Sequence, residues 1–156
     1  MIVNSLHLTD FRNYGKCSVE LGDTLNIFIG DNAQGKTNLL ESIYLISTTR
    51  SHRHIEDTDM IREGCEAARI ILKMEENGVS NELMIVISKE GKKLLIQKQP
   101  IRRTSEFIGR LNAVLFSPGD FELLDGSPRI RRRFMDMEIG KVRPSYLQNL
   151  NSYQKL

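Results

Sequence analysis

The sequence predicts an α/β fold, and three observations predict it. A short run dominated by apolar residues, Leu25 to Ile29, leads into Gly30-Asp31-Asn32-Ala33-Gln34-Gly35-Lys36-Thr37 and then into apolar residues at helical spacing. Three apolar runs between residues 68 and 96 are separated by Asn77-Gly78 and Glu90-Gly91, the pattern of an antiparallel β-meander. In the second half, Ser117-Pro118 and Ser127-Pro128 each put a capping serine before a proline at the first helical position.

Taken in order, Ile2, Val3, Leu6 and Leu8 alternate closely enough with polar residues to predict a first strand over Met1 to Leu8. Asp10-Phe11-Arg12-Asn13-Tyr14-Gly15 breaks the pattern and Cys17 to Leu21 resumes it, which predicts a hairpin-like pair. Leu25 to Ile29 is predicted to be the strand that enters the glycine-bounded loop. Leu39, Leu40, Ile43, Tyr44 and Ile46 then mark one side of a helix. A polar, basic loop follows from Ser47 to His54, and Thr58 to Gly64 has the spacing of a short helix ended by glycine. His52 and His54 stand two apart with no cysteine or third histidine nearby, so a zinc site is disfavoured and a solvated loop preferred.

The three runs 68–74, 83–87 and 93–96 form the meander, read mainly as scaffold. Thr104 caps a short helix through Arg110, and Leu111 to Phe116 reads as another buried strand. The helix opened by Ser127-Pro128 carries Arg129, Arg131, Arg132 and Arg133, with Ile130, Phe134 and Met137 as its apolar stripe. Asp136 lies three and four residues after Arg133 and Arg132 and is positioned to pair with either. These arginines form either a salt-bridged outer face or a surface for DNA phosphates or a partner. Tyr146, Leu147, Leu150 and Tyr153 continue a helical pattern that stops without a cap, so the chain is expected to be cut rather than finished.

At 156 residues the chain suffices for one domain with a real core. Its apolar runs are too short to span a membrane as a helix, and no signal-peptide pattern opens it. The two cysteines, Cys17 and Cys65, make no disulfide framework, so half-buried thiols in a reducing cytoplasm are expected. The net charge of +2 is too small to specify a partner, but its concentration in the arginine-rich second half is informative.

The glycine-bounded stretch fits G-x-x-x-x-G-K-[ST] in its required setting between a strand and a helix. Gly30 and Gly35 are expected to permit backbone conformations closed to other residues, so that successive N–H groups point at phosphate oxygens. The helix N-terminus adds donors and the positive end of its dipole. Lys36 is expected to reach the β- and γ-phosphates, and the Thr37 hydroxyl to face Mg²⁺. Arg12 is either a surface residue at a turn or a guanidinium that braces a phosphate. Hydrolysis needs in addition an acidic residue at a strand end and a general base, and no convincing run of apolar residues ending in Asp or Glu is present. ATP binding is therefore expected, with negligible turnover.

Several stretches together resemble the N-terminal part of the RecF family, recombinational-repair ATPases of the ABC/SMC-like class. They are Asp10 to Tyr14, Gly30 to Asn38, Thr49 to Arg53, Phe116 to Phe121, and Gly126-Ser127-Pro128 through Asp136. The resemblance implies a P-loop ATPase head of α/β class whose first lobe, residues 1–116, holds a mixed sheet and the β-meander. Residues 117–156 would begin a helical second lobe that continues beyond this sequence. It also implies that Arg12, Asn13, Gly30, Asn32, Ala33, Gln34, Gly35, Lys36, Thr37 and Asn38 surround ATP with Mg²⁺ on Thr37, and that Arg50 to His54 lies near the base or ribose. Relatives place a glutamine in the loop after Phe116, where Ser117 to Asp120 stands here. The family binds double-stranded, gapped DNA as an ATP-dependent homodimer and helps RecO and RecR load RecA. Two other readings compete: a small P-loop kinase, disfavoured by the meander after the loop, and a nucleic-acid module whose loop holds DNA phosphates.

Overall fold

The computed structural model describes residues 1–53, 55–117 and 126–153. Its centre is a six-stranded sheet in the order β2-β1-β3-β4-β5-β6, with every neighbouring pair antiparallel. The strands are β1 (Ile2–Phe11), β2 (Tyr14–Glu20), β3 (Ala67–Glu76), β4 (Val79–Ser88), β5 (Gly91–Ile96) and β6 (Gln99–Pro100). The helices are α1 (Lys36–Thr48), the one-turn α2 (Thr104–Phe107), α3 (Pro128–Val142) and α4 (Pro144–Tyr153).

Register follows from burying one face. Leu6 pairs with Leu72, which pairs with Leu83; Leu8, Ile70 and Ile85 make the next row. All six are buried, and a slip of one residue would turn each outward. Leu39, Leu45 and Ile46 of α1 cover this face, and Met60, Phe107 and Leu111 complete the same apolar cluster. Leu40, expected on the buried side of α1, is instead exposed, whereas Leu45 is fully buried.

The meander forms as predicted. Asn77 and Gly78 have φ of 52° and 77°, both left-handed, which is what a two-residue turn between right-twisted strands requires. The β5–β6 turn does the same with Gln97 and Lys98, at 50° and 64°. Neither residue type signals such a turn, and the sequence did not reveal it. The Gln97 N–H donates to the Glu82 carbonyl and its side-chain amide to the Ser80 carbonyl, so anchoring to β4 offsets the backbone strain.

Two predicted strands are absent. Residues 25–29 and 111–116 lie outside the ladder, so among the described residues the sheet is antiparallel and not mixed. Leu25, Ile27 and Ile29 are 75%, 70% and 91% exposed, and Val114 and Phe116 are exposed too. An apolar run becomes a strand only where a neighbour pairs its backbone groups, and no described segment does so here. Thr58 to Gly64 also departs from prediction: a single turn of 3₁₀ helix, Asp57–Met60, ends where Ile61 bridges to Phe11. The predicted helix from Thr104 stops at Phe107 rather than Arg110. The helix expected after Ser117-Pro118 falls outside the described residues.

In the second half, Pro128 opens α3 after Ser127 as predicted, although the serine side chain makes no capping hydrogen bond. Asp136 does not pair with Arg132 or Arg133; it accepts a 2.6 Å hydrogen bond from the Tyr146 hydroxyl of α4. Packing α4 against α3 gives that carboxylate a nearer donor than either solvent-facing arginine. Lys141 ties α3 to α1: its ammonium lies 5.4 Å from the centre of the Tyr44 ring and donates to the Ala113 carbonyl and the Glu138 carboxylate.

Ile70→Ala, in the middle of the buried face, should destabilise the chain by about 2 to 4 kcal/mol in urea unfolding. Ile29→Ser should change stability by less than about 0.5 kcal/mol. A large loss at Ile29 would mean that the segment is a buried strand after all.

Candidate functional site: a phosphate loop braced by a buried carboxylate

The loop between residues 30 and 37 closes onto the N-terminus of α1. Gly35 sits just before the helix with φ of 102°, and a Cβ there would stand 2.7 Å from the Tyr14 hydroxyl and 2.8 Å from the Asn13 amide. Glycine is thus required twice over, for conformation and for the close approach of the β1–β2 turn. Gly30 has neither requirement: its φ is not left-handed and an added Cβ would meet nothing. The second left-handed residue of the loop is Ala33, at 66°. The expectation that both glycines bend the loop therefore holds at one end only.

The Lys36 ammonium is turned back onto its own loop, donating to the carbonyls of Gly30 and Asp31 at 2.6 Å each. Thr37 is exposed on the first turn, and the Asn38 amide donates to Asn13 Oδ1 at 2.9 Å. Asn32, Ala33, Gly35, Lys36, Thr37, Asn38 and Arg53 line an open cleft of about 300 Å³. Gln34 is exposed on the same loop. A helix end with unsatisfied N–H groups, an ammonium held only by carbonyls and a nearby guanidinium make this cleft a place for an anion.

Arg12 is not aimed into the cleft. Its φ of 55° puts the hairpin turn in the left-handed region, and its guanidinium grips Glu41 of α1. Nε and Nη2 donate to the two carboxylate oxygens at 3.0 and 2.8 Å, and Nη1 donates to the Asp59 carbonyl. Glu41 is fully buried, and Ser51 donates to it as well. Arg53 Nη1 stands 3.7 Å from the other oxygen. Burial by itself would push the Glu41 carboxyl up, but hydrogen bonds from Arg12 and Ser51 and the charges of Arg12 and Arg53 outweigh it and hold it below the usual carboxylate range. Sequence reading did not single out Glu41, because a glutamate in a helix is most often solvated. The capture of Arg12 by a helix 29 residues away was equally invisible.

Other ties fix the far end of α1. Lys92 of β5 donates to the carbonyl of Thr49, the αL cap of the helix, and pairs with Asp57 at 2.9 Å. A cation at a helix C-terminus complements the dipole, so the meander anchors the end of α1 opposite the cleft. His52 stands edge-on to Tyr44, while His54 lies outside the described residues. Cys17 and Cys65 are free and half-buried, as expected.

A family model of the AAA ATPase domain matches residues 1–147. The chain belongs to the AAA ATPase domain family. Along its whole length it is 46% identical to the DNA replication and repair protein RecF of Shouchella clausii and 42% identical to that of Bacillus subtilis. It spans 42% of the length of each and corresponds to the N-terminal portion of RecF. The solved structure of the recombination mediator protein RecF-ATP in the RecFOR pathway superimposes on 99% of this AAA ATPase chain with a TM-score of 0.94 and 28% identity, the match covering 42% of that structure. The head domain of SMC from Thermotoga maritima shares the fold over 65% of the chain, with a TM-score of 0.56 at 24% identity and 39% of that head covered. The RecF and SMC-like head fold expected from the sequence is thus shown, in an α/β arrangement with an antiparallel sheet. No helix among the described residues is long and apolar enough to cross a membrane.

Arg12→Ala leaves Glu41 buried with Ser51 and the more distant Arg53, and should cost about 3 to 5 kcal/mol in urea unfolding at neutral pH. The carboxyl titrates lower when folded than when unfolded, so its contribution is complete above the ordinary glutamate value. That contribution is lost as pH falls below this value through the folded pKa. In the Arg12→Ala chain the acid side of the stability–pH curve should be shallower.

Proposed function

We propose that this chain is the ATP-binding portion of a RecF-type DNA replication and repair protein. One observation carries the reading: Lys36, Thr37 and Arg53 converge with the N-terminus of α1 on a single open cleft. Lys36 exchanges its two carbonyl partners for the β- and γ-phosphates, and the loop N–H groups from Asn32 to Asn38 surround them. Mg²⁺, held by the Thr37 hydroxyl, would offset charge on the β- and γ-phosphate oxygens. Asn13 lies against Gly35 and Asn38 and borders the nucleotide, whereas Arg12 acts by fixing the turn that carries Asn13. The similar RecF described with bound ATP supports this assignment.

For the whole protein we propose the wider role of its relatives. Residues 1–116 form the ATP-binding lobe, and residues 117–156 begin a helical lobe. ATP joins two heads into a dimer that binds double-stranded DNA and, with RecO and RecR, assists the loading of RecA at gaps. Arg129, Arg131, Arg132 and Arg133 are exposed on α3 and suit DNA phosphates. The 156-residue chain by itself should bind ATP without appreciable turnover.

Titration of the chain with ATP and Mg²⁺ should give saturable binding that Lys36→Ala weakens at least about tenfold. No binding by a folded wild-type chain would overturn the reading. In the full-length protein, replacing Arg131 and Arg132 together by alanine should weaken duplex binding and flatten its salt dependence while ATP affinity is unchanged. Loss of DNA binding in Lys36→Ala by a chain with no ATP affinity would instead favour a loop that holds DNA phosphates.

A further inference from the structure

Glu41 stands five residues beyond Lys36 on the same helix, fully buried, and contacts both Arg12 and Arg53. Its grip on them is unequal. Arg12 is held by two short hydrogen bonds, one to each carboxylate oxygen. Arg53 stands 3.7 Å away, which is a charge contact and too long for a hydrogen bond. The attraction therefore aims the Arg53 guanidinium without consuming its donor fork. A second route reaches the same residue: Ser51 donates its hydroxyl proton to Glu41, and the same oxygen accepts the Arg53 backbone N–H at 3.1 Å. Arg53 in turn lines the cleft beside Lys36 and Thr37. A buried carboxylate is costly unless fully satisfied, and Arg12 with Ser51 supplies that satisfaction while Arg53 stays at the cleft.

We propose that Glu41 is a positioning residue that holds the Arg53 guanidinium over the phosphate loop, so that the site distinguishes a nucleoside triphosphate from a diphosphate. The proposal rests on the nucleotide-binding reading above. Glutamine at this position keeps the shape and accepts a hydrogen bond from Arg12, but it has no charge with which to aim a second guanidinium. The third phosphate then meets a cation that is no longer fixed in place.

The test is an equilibrium titration with ATP and with ADP, each with Mg²⁺, of the wild-type chain, Glu41→Gln, Arg53→Gln and the double variant. The wild type should prefer ATP, each single variant should lose about tenfold of that preference, and the double variant should lose no more than either. An unchanged preference in folded Glu41→Gln would overturn the proposal, as would losses that add in the double variant, because Glu41 would then act independently of Arg53. Equal binding of ATP and ADP by the wild type would overturn it too, with nucleotide binding itself intact. If Glu41→Gln does not fold, Glu41→Asp keeps the charge but draws the carboxylate back from Arg53 by one methylene. A reduced preference there supports the proposal, and a retained one rejects it. A wild-type chain that binds neither nucleotide rejects the nucleotide reading and this proposal together, a result separate from any change in their ratio.

Discussion

The buried Glu41 carboxylate is the constraint on which the site depends. It joins three segments that share no backbone hydrogen-bond ladder: the β1–β2 turn through Arg12, helix α1 through its own backbone, and the loop after α1 through Ser51 and Arg53. An ionised carboxylate without water tolerates little displacement of its donors, since each is needed to offset desolvation. The turn is thereby fixed against Gly35, and the phosphate loop is shaped from one side by Asn13 and Tyr14. The Arg12–Glu41 salt bridge thus bears on the shape of the loop through the turn that packs on Gly35.

The sheet supplies the platform for that arrangement. Its buried rows position α1, and Lys92 secures the end of α1 opposite the loop. Apolar burial sets where the helix lies, and a small number of charged contacts set which way its ends point. Lys141 extends the same logic to α3, whose ammonium reaches Tyr44 of α1 while the arginines of that helix remain exposed.

The segments around Ile29 and Phe116 show what local pattern leaves undecided. Both read as strands, yet both lie outside the ladder, with Leu25, Ile27, Ile29, Val114 and Phe116 exposed. Apolar composition states that a segment has surface to bury, but the partner that buries it is a property of the whole arrangement. The Gln97-Lys98 turn makes the converse point. Two residues with no turn preference adopt left-handed backbone because strand pairing on both sides and the bonds to Glu82 and Ser80 compel them.

By itself the sequence determined the phosphate loop, the helix after it, the first hairpin, the Asn77-Gly78 meander and the proline-opened arginine helix. Each is specified by interactions within a few residues: helical spacing, strand alternation, and glycine or proline at positions where backbone sterics admit little else. Tertiary structure decided that Arg12 serves Glu41 rather than pointing into the cleft, that Arg53 stands against the same carboxylate, and that Asp136 bonds Tyr146 instead of an arginine. Those outcomes depend on charges brought together from distant parts of the chain. The strength of such pairs is set by how completely the fold excludes water around them.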